Sequence, residues 1–222
     1  MNLDFKYNLK KDAENFITVA KIKKIEKNSF FLEEKKFFIY KLYFEKYNQN
    51  FNKDKLIDFI KNYIKENKID INREIKRIKN KWFPVNRIFL ERAEKIFKTK
   101  LPQKQITVYL TVSDICGYNI NDSYFFVTLG SQHSNLTIMH ELWHFYTWEV
   151  CGREFKKKNI ISKEQYYDIK ESLTEILNLE FKDLLGNVKD KGYLPHQEIR
   201  KKIRRHWSKE KDIRKVVENL LK

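Results

Sequence analysis

His140, Glu141 and His144 are the residues whose types and spacing are best suited to chemistry in this chain; they fall in the run His140-Glu141-Leu142-Trp143-His144, an H-E-x-x-H pattern. On a helix each residue advances about 100°, so the two imidazoles sit roughly 40° apart and about 6 Å along one face. Both can then reach one tetrahedral metal ion. Glu141 lies about 100° round from His140, placed to address a metal-bound water rather than the metal. Zinc lowers the pKa of such a water to about 7, and a nearby carboxylate can take its proton as the water attacks a carbonyl. The spacing predicts one Zn2+ per chain, with His140 and His144 as metal ligands and Glu141 as catalytic base.

A chain of this composition would show the pattern by accident in roughly one per cent of cases, so the flanks decide its weight. Leu136, Ile138 and Met139 precede it, Leu142 and Trp143 fill its variable positions, and Phe145, Tyr146 and Trp148 follow it. Between Asn135 and Glu149 the only charges are Glu141 and whatever the two His carry. Such a helix has no wet face and is expected to be buried. Buried imidazoles and a buried carboxylate are costly unless something pairs with them. A metal would do so; the competing structural reading has the three side chains hydrogen-bonded in a satisfied core.

A third protein ligand is expected from residues 163 to 185, which read as one helix without Gly or Pro, opened by Ser162 as N-cap. Taking Glu171 as zero, Glu175 falls near about 40°, Asn178 near about 340° and Asp168 near about 60° on an otherwise apolar helix. Two carboxylates one turn apart in apolar surroundings repel unless a cation is near.

These residues resemble the gluzincin branch of the H-E-x-x-H zinc peptidases, the thermolysin-like and aminopeptidase-like enzymes. In that group the third ligand is a Glu on a later helix, within E-x-x-x-D or a similar segment. The matching stretch is Glu171-Ser172-Leu173-Thr174-Glu175, with Glu where thermolysin-like enzymes carry Asp. The resemblance implies Glu171 as third zinc ligand and Glu175 as the outer carboxylate that orients a ligating His. It also implies a Tyr and a His that stabilise an oxyanion. Tyr193 and His196 are the leading candidates, with Tyr166, Tyr167 and His206 as others. Glu175, Glu149, Glu154 and His196 are alternative third ligands. Metzincins fit less well, since their pattern needs Gly at Thr147 and His at Val150. The resemblance covers residues 105 to 185 and implies a peptide or protein substrate.

The elements that must position this site begin upstream. Residues 105 to 112 and 123 to 129 read as strands separated by turn residues. Ser134 or Asn135 can cap the motif helix. By resemblance to zincins, Tyr124 to Leu129 would be an edge on which an extended substrate pairs, the plainer reading being core sheet. Before residue 100 the pattern predicts helices at about 11 to 26, 31 to 48, 53 to 67, 70 to 81 and 85 to 99. Phe31, Leu32, Phe37, Phe38, Tyr40, Leu42 and Tyr43 form a wide aromatic face that suits an interhelical core better than a ligand groove. Residues 195 to 222 read as two short helices. The expected fold is α+β, mostly helical: a zincin-like core with a small sheet ahead of the motif helix (101–222), and an N-terminal helical subdomain (1–100).

The formal net charge of +16 over 222 residues invites a nucleic-acid reading. Lysine is spread along the chain and mixed with Glu, so solvated helix faces account for most of it; only residues 200 to 205 and Lys156-Lys157-Lys158 read as patches. An acidic protein substrate would use the same charge. The alternative function is therefore a basic helical nucleic-acid or protein-binding protein with an inactive or accidental H-E-x-x-H. Cys116 and Cys151 lack C-x-x-C spacing and read as free thiols. The first residues have no apolar signal region and no run is long enough to span a membrane, so the default address is cytoplasmic.

Overall fold

The computed structural model describes residues 1–26, 32, 34–47, 51–158 and 160–222. It is mostly helical with one small mixed sheet, in agreement with the α+β expectation. The strands are β1 (Asn2–Tyr7), β2 (Gln105–Thr111), β3 (Tyr118–Asn119) and β4 (Tyr124–Thr128), in the order β1-β2-β4-β3. The first two pairings are parallel and β3 runs antiparallel to β4.

β1 was not anticipated. Leu3, Phe5 and Tyr7 do alternate with Asp4 and Lys6, but a six-residue strand has no local partner to announce it. Its partner is β2, with Leu3 opposite Ile106 and Tyr7 opposite Leu110. Parallel pairing requires a crossover, here the helices α1 (Leu9–Ile22), α2 (Phe38–Tyr47), α3 (Lys53–Glu66) and α4 (Ile71–Phe97). β4 is not a free edge along its length. β3 pairs with Tyr124 and Phe125, and the Phe126 amide donates to the Gly117 carbonyl at 3.0 Å. The expected substrate edge at Tyr124 to Leu129 is thus largely occupied by the chain's own backbone.

The chain divides into two compact units, residues 1–80 with 103–134, and residues 81–102 with 135–222. A single boundary near residue 100 does not describe it, because β1 holds β2 and the strands after it in the first unit. The helices expected at 70–81 and 85–99 are one helix, α4, with Pro84 inside it. Proline's fixed φ is helical, although it lacks an N–H and its ring crowds the carbonyl one turn back. The Trp82 Nε1 donates to Asn86 Oδ1 at 3.0 Å across the proline.

The first unit is built on the aromatic cluster the sequence suggested. Phe16, Tyr40, Tyr43, Phe44, Leu56, Phe59 and Ile60 are buried together, with Phe16 and Tyr40 ring centroids 3.9 Å apart. Leu32 and Phe37 join it, whereas Phe38 is 52% exposed; Phe31 lies outside the described residues, as do the side chains of Lys156 and Lys157.

Among the described residues, one carboxyl side chain is sealed inside this unit. Asp12, on α1, accepts from the Thr111 hydroxyl at 2.5 Å and from the Val112 amide. Burial pushes its carboxyl from 3.8 up to about 7, although the Thr111 and Val112 hydrogen bonds oppose the shift. The folded form therefore holds a proton that the unfolded form has released between those values. Stability from this group is greatest at acid pH, falls as pH rises from about 4 to about 7, and is level above. The decline is expected to be as large as roughly 4 kcal/mol. Chemical denaturation between pH 4.5 and 8 should show it in the wild type and a flattened profile in Asp12→Asn; an unchanged slope in the variant would assign the effect elsewhere.

The second unit carries the H-E-x-x-H run on α5 (Ser134–Thr147), followed by a π-helical turn at Trp148–Gly152. Phe97 packs on Trp143 and stacks on Tyr146, and Trp143 meets Phe181 edge-on. α6 (Arg153–Lys158) follows. The single helix expected over 163–185 is broken into α7 (Lys163–Ser172), α8 (Glu175–Glu180) and α9 (Lys182–Leu185). The break falls at Leu173 and Thr174. The Thr174 hydroxyl lies 2.7 Å from the Glu171 carbonyl, a local side-chain bond of the kind that competes with the helical ladder. The Ser162 cap is present, in a capping box with Gln165. α10 (Gln197–Glu210) and α11 (Ile213–Leu221) complete the unit. Among the described residues no helix is long and apolar enough to cross a membrane, and both cysteines are free.

Candidate metal centre

α5 places His140 and His144 one turn apart, and α7 brings Glu171 to them. One donor atom from each of the three lies within 4.8 Å of the others. His140 Nε2 and His144 Nε2 are 3.0 Å apart, with the two rings nearly perpendicular at 84°. The Glu171 Oε2 is 3.4 Å from His140 Nε2 and its Oε1 is 3.5 Å from His144 Nε2. His144, Glu141 and Glu171 are buried, while His140 is partly exposed. The apolar flanks thus bury this stretch of α5, as its lack of charges predicts.

The electrostatics of the cluster follow from that burial. His140 Nδ1 lies 2.6 Å from Asp190 Oδ2. Burial alone would lower the His140 pKa, but the Asp190 hydrogen bond and the Glu171 carboxylate override it and hold it at about 10. Burial and the Lys170 ammonium push His144 the other way, down to about 3. Burial would raise Glu171, yet His144, His140 and Lys170 together hold it well below the usual carboxylate range. The Lys170 ammonium, itself buried, donates to Glu171 Oε1. Glu141 is pushed up to about 7 by burial, against the pull of His140.

The buried Glu141 Oε2 has no hydrogen-bond partner among the described residues, and for Glu171 Oε2 the structure gives just the long 3.4 Å approach of His140 Nε2. Orphaned buried acceptors of this kind call for a cation or a donor. Two imidazole nitrogens and one carboxylate oxygen facing a common point fit a small divalent ion such as zinc, cobalt or manganese.

Glu175 does not brace a ligating imidazole, contrary to the expectation from the gluzincin resemblance. Its carboxylate pairs with Arg200 Nη2 at 2.7 Å and with Arg204 Nη2 at 2.5 Å. The helix break at Thr174 is the reason, because it removes Glu175 from the face that carries Glu171. The carboxylate on His140 is Asp190, which no spacing rule selects. It lies in the loop between α9 and α10, where Lys-Asp-Lys-Gly reads only as a turn. Lys170 was likewise missed as a site residue.

Of the expected oxyanion stabilisers, Tyr193 lies within electrostatic reach of Glu171 and Glu141. It is 40% exposed, and its phenol is raised by burial and then by the charges of Glu171 and Glu141. His196 Nε2 is 3.0 Å from Asp168 Oδ1, and its ring meets that of Tyr193 edge-on at 5.5 Å. The remaining alternative ligands are used elsewhere: Glu149 pairs with Arg153 at 2.8 Å and Glu154 with Lys158 at 2.7 Å. Tyr166 packs its ring on Trp148. Of the basic run on α10, Arg200 is buried, whereas Lys201, Lys202, Arg204 and Arg205 are exposed, Lys201 pairing with Glu198 and Arg204 with Glu175.

Compared with known proteins, the chain matches no protein-family model, no curated protein and no solved structure.

Proposed function

We propose that this chain is a zinc-dependent peptidase of gluzincin type, with a zincin-like active centre. The observation that carries the reading is the convergence of His140, His144 and Glu171 beside a buried Glu141 whose Oε2 lacks a partner. His140, His144 and Glu171 would hold the ion, which when bound supplies Lewis acidity and an activated water at neutral pH.

The chain's own residues do the rest. Asp190 accepts the Nδ1–H of His140 in a hydrogen bond, which aims Nε2 toward His144 and Glu171. Glu141 stays out of the donor set and is free to accept a proton at Oε2, then to return it to the leaving amine. Its apolar surroundings keep its pKa near the working pH, where a general base is most effective. The Tyr193 hydroxyl would steady a developing oxyanion. Asp190, from the loop, fills the orienting role that the resemblance implied for Glu175.

The direct test is to load the protein with zinc, incubate it with a complex peptide mixture and read new termini by mass spectrometry. Cleavage that is lost with a chelator and absent from Glu141→Gln supports the reading. A zinc-loaded protein that cuts neither peptides nor intact proteins counts against peptidase activity.

A further inference from the structure

We infer that Arg200 is a positioning residue for the His140 imidazole, acting through Asp190; this rests on the reading that His140, His144 and Glu171 hold a metal ion. A loop carboxylate has no helix or strand to fix it, yet Asp190 is only 7% exposed and every polar atom of it is engaged. Its Oδ2 meets His140 Nδ1 at 2.6 Å. The Oδ1 accepts from the Gly192 amide at 2.9 Å and lies 3.3 Å from Arg200 Nη1. Its carbonyl accepts from Arg200 Nη2 at 2.6 Å and from Asn178 Nδ2 at 2.7 Å, and its amide donates to Asn178 Oδ1 at 2.8 Å.

Arg200 is the piece that joins these contacts. It is 2% exposed on α10, and its guanidinium reaches four groups at once. Nη1 donates to the Thr174 hydroxyl at 2.8 Å, and Nη2 pairs with Glu175 Oε2 at 2.7 Å as well as with the Asp190 carbonyl. Thr174 in turn stands 3.2 Å from Asp190 Oδ1. Only a planar fork of donors can serve Thr174, Glu175 and both ends of Asp190 together; a lysine presents one ammonium point. The backbone makes room for it at Gly192, whose φ is +59° and where a Cβ would lie 2.7 Å from Arg200 Nη1 and 2.9 Å from its Cδ and Cζ. A glycine there both adopts the left-handed turn and admits the guanidinium.

The chain of control runs from Gly192 and Glu175 to Arg200, then to Asp190, then to His140. Glu175 is thus connected to the imidazole through two intervening residues, Arg200 and Asp190.

The test is a metal titration with Co2+ and Zn2+ against a chelating dye, on wild type, Arg200→Lys, Asp190→Asn and the double variant, with the visible spectrum of bound Co2+ read in parallel. Loss of an outer partner of a metal ligand weakens binding about 10- to 100-fold, and that is expected for Asp190→Asn. Arg200→Lys, which keeps the charge that Glu175 needs, should weaken binding about tenfold and alter the Co2+ spectrum. The double variant should fall little further, because residues acting in series are not additive. A merely structural arginine would lower the melting temperature and leave affinity and spectrum of the folded protein unchanged. Gly192→Ala, which displaces the fork from outside, gives the same reading if Arg200→Lys folds poorly. Wild type that binds no metal overturns the metal centre and this inference with it; wild type that binds while Arg200→Lys and Gly192→Ala bind equally well, or while Arg200→Lys adds in full to Asp190→Asn, overturns this inference alone.

Discussion

Glu141→Gln will retain its metal and lose hydrolysis by about 10³-fold, the middle of the range for general acid–base catalysis. The amide keeps the shape of the side chain in its buried setting but has no lone pair basic enough to take a proton. Glu141 is not among the converging donors, so zinc content and melting temperature should stay close to wild type. The same carboxyl sets the acid limb of the pH profile. It must be ionised to act, so the rate falls as pH drops through its pKa. Burial places that pKa at about 7 before any metal is bound, and a cation held by His140, His144 and Glu171 opposes protonation, so the midpoint lies at or below 7. The measurement is the rate on a cleaved peptide between pH 5 and 8, with metal content checked in each sample. A Glu141→Gln variant that turns over at the wild-type rate would remove Glu141 from the chemistry.

His144→Ala and Glu171→Ala will each strip the ion, weakening binding by roughly 300- to 8000-fold, since each removes about a third of a binding free energy that in structural zinc sites is about 10–16 kcal/mol. Mass spectrometry of protein purified without added zinc should find about one ion per wild-type chain and almost none in either variant. Affinity should also depend on pH in a definite direction. His140 is held protonated up to about 10 by Asp190 and Glu171, and a metal ligand must give up that proton. Binding near neutral pH should release about one proton, and the apparent affinity should rise with pH below about 10. Proton release read with a weak indicator buffer checks this. No metal in the wild type after zinc addition would defeat the proposed function, whereas Glu171→Ala with undiminished affinity would only dismiss Glu171 as a ligand.

The legible part of the site was the part written in local spacing. His140, Glu141 and His144 lie within five residues, and helical periodicity alone orients them. The uncharged flanks from Leu136 to Trp148 announced the burial that the structure has for His144 and Glu141. Glu171 was readable as an acid on an apolar helix, because that stripe also depends only on local periodicity. Glu175 misled for the same reason: its position was inferred from an unbroken helix, and the hydroxyl of Thr174 helps end α7 before that residue.

By itself the sequence determined the mostly helical content, the strands at 105 to 112 and 123 to 129, an aromatic core that includes Tyr40 and Tyr43, and two of the converging donors, His140 and His144, with Glu171 first among several candidates for the third. Tertiary structure alone decided that Asp190 serves His140 across 50 residues, that Arg200 is buried to hold it, that Lys170 pairs with Glu171, and that β1 joins β2. The physical reason is one of range. Periodicity and capping act within a few residues and leave a mark on the local pattern, whereas a loop carboxylate or a short strand is assigned its partner only when distant segments are packed together.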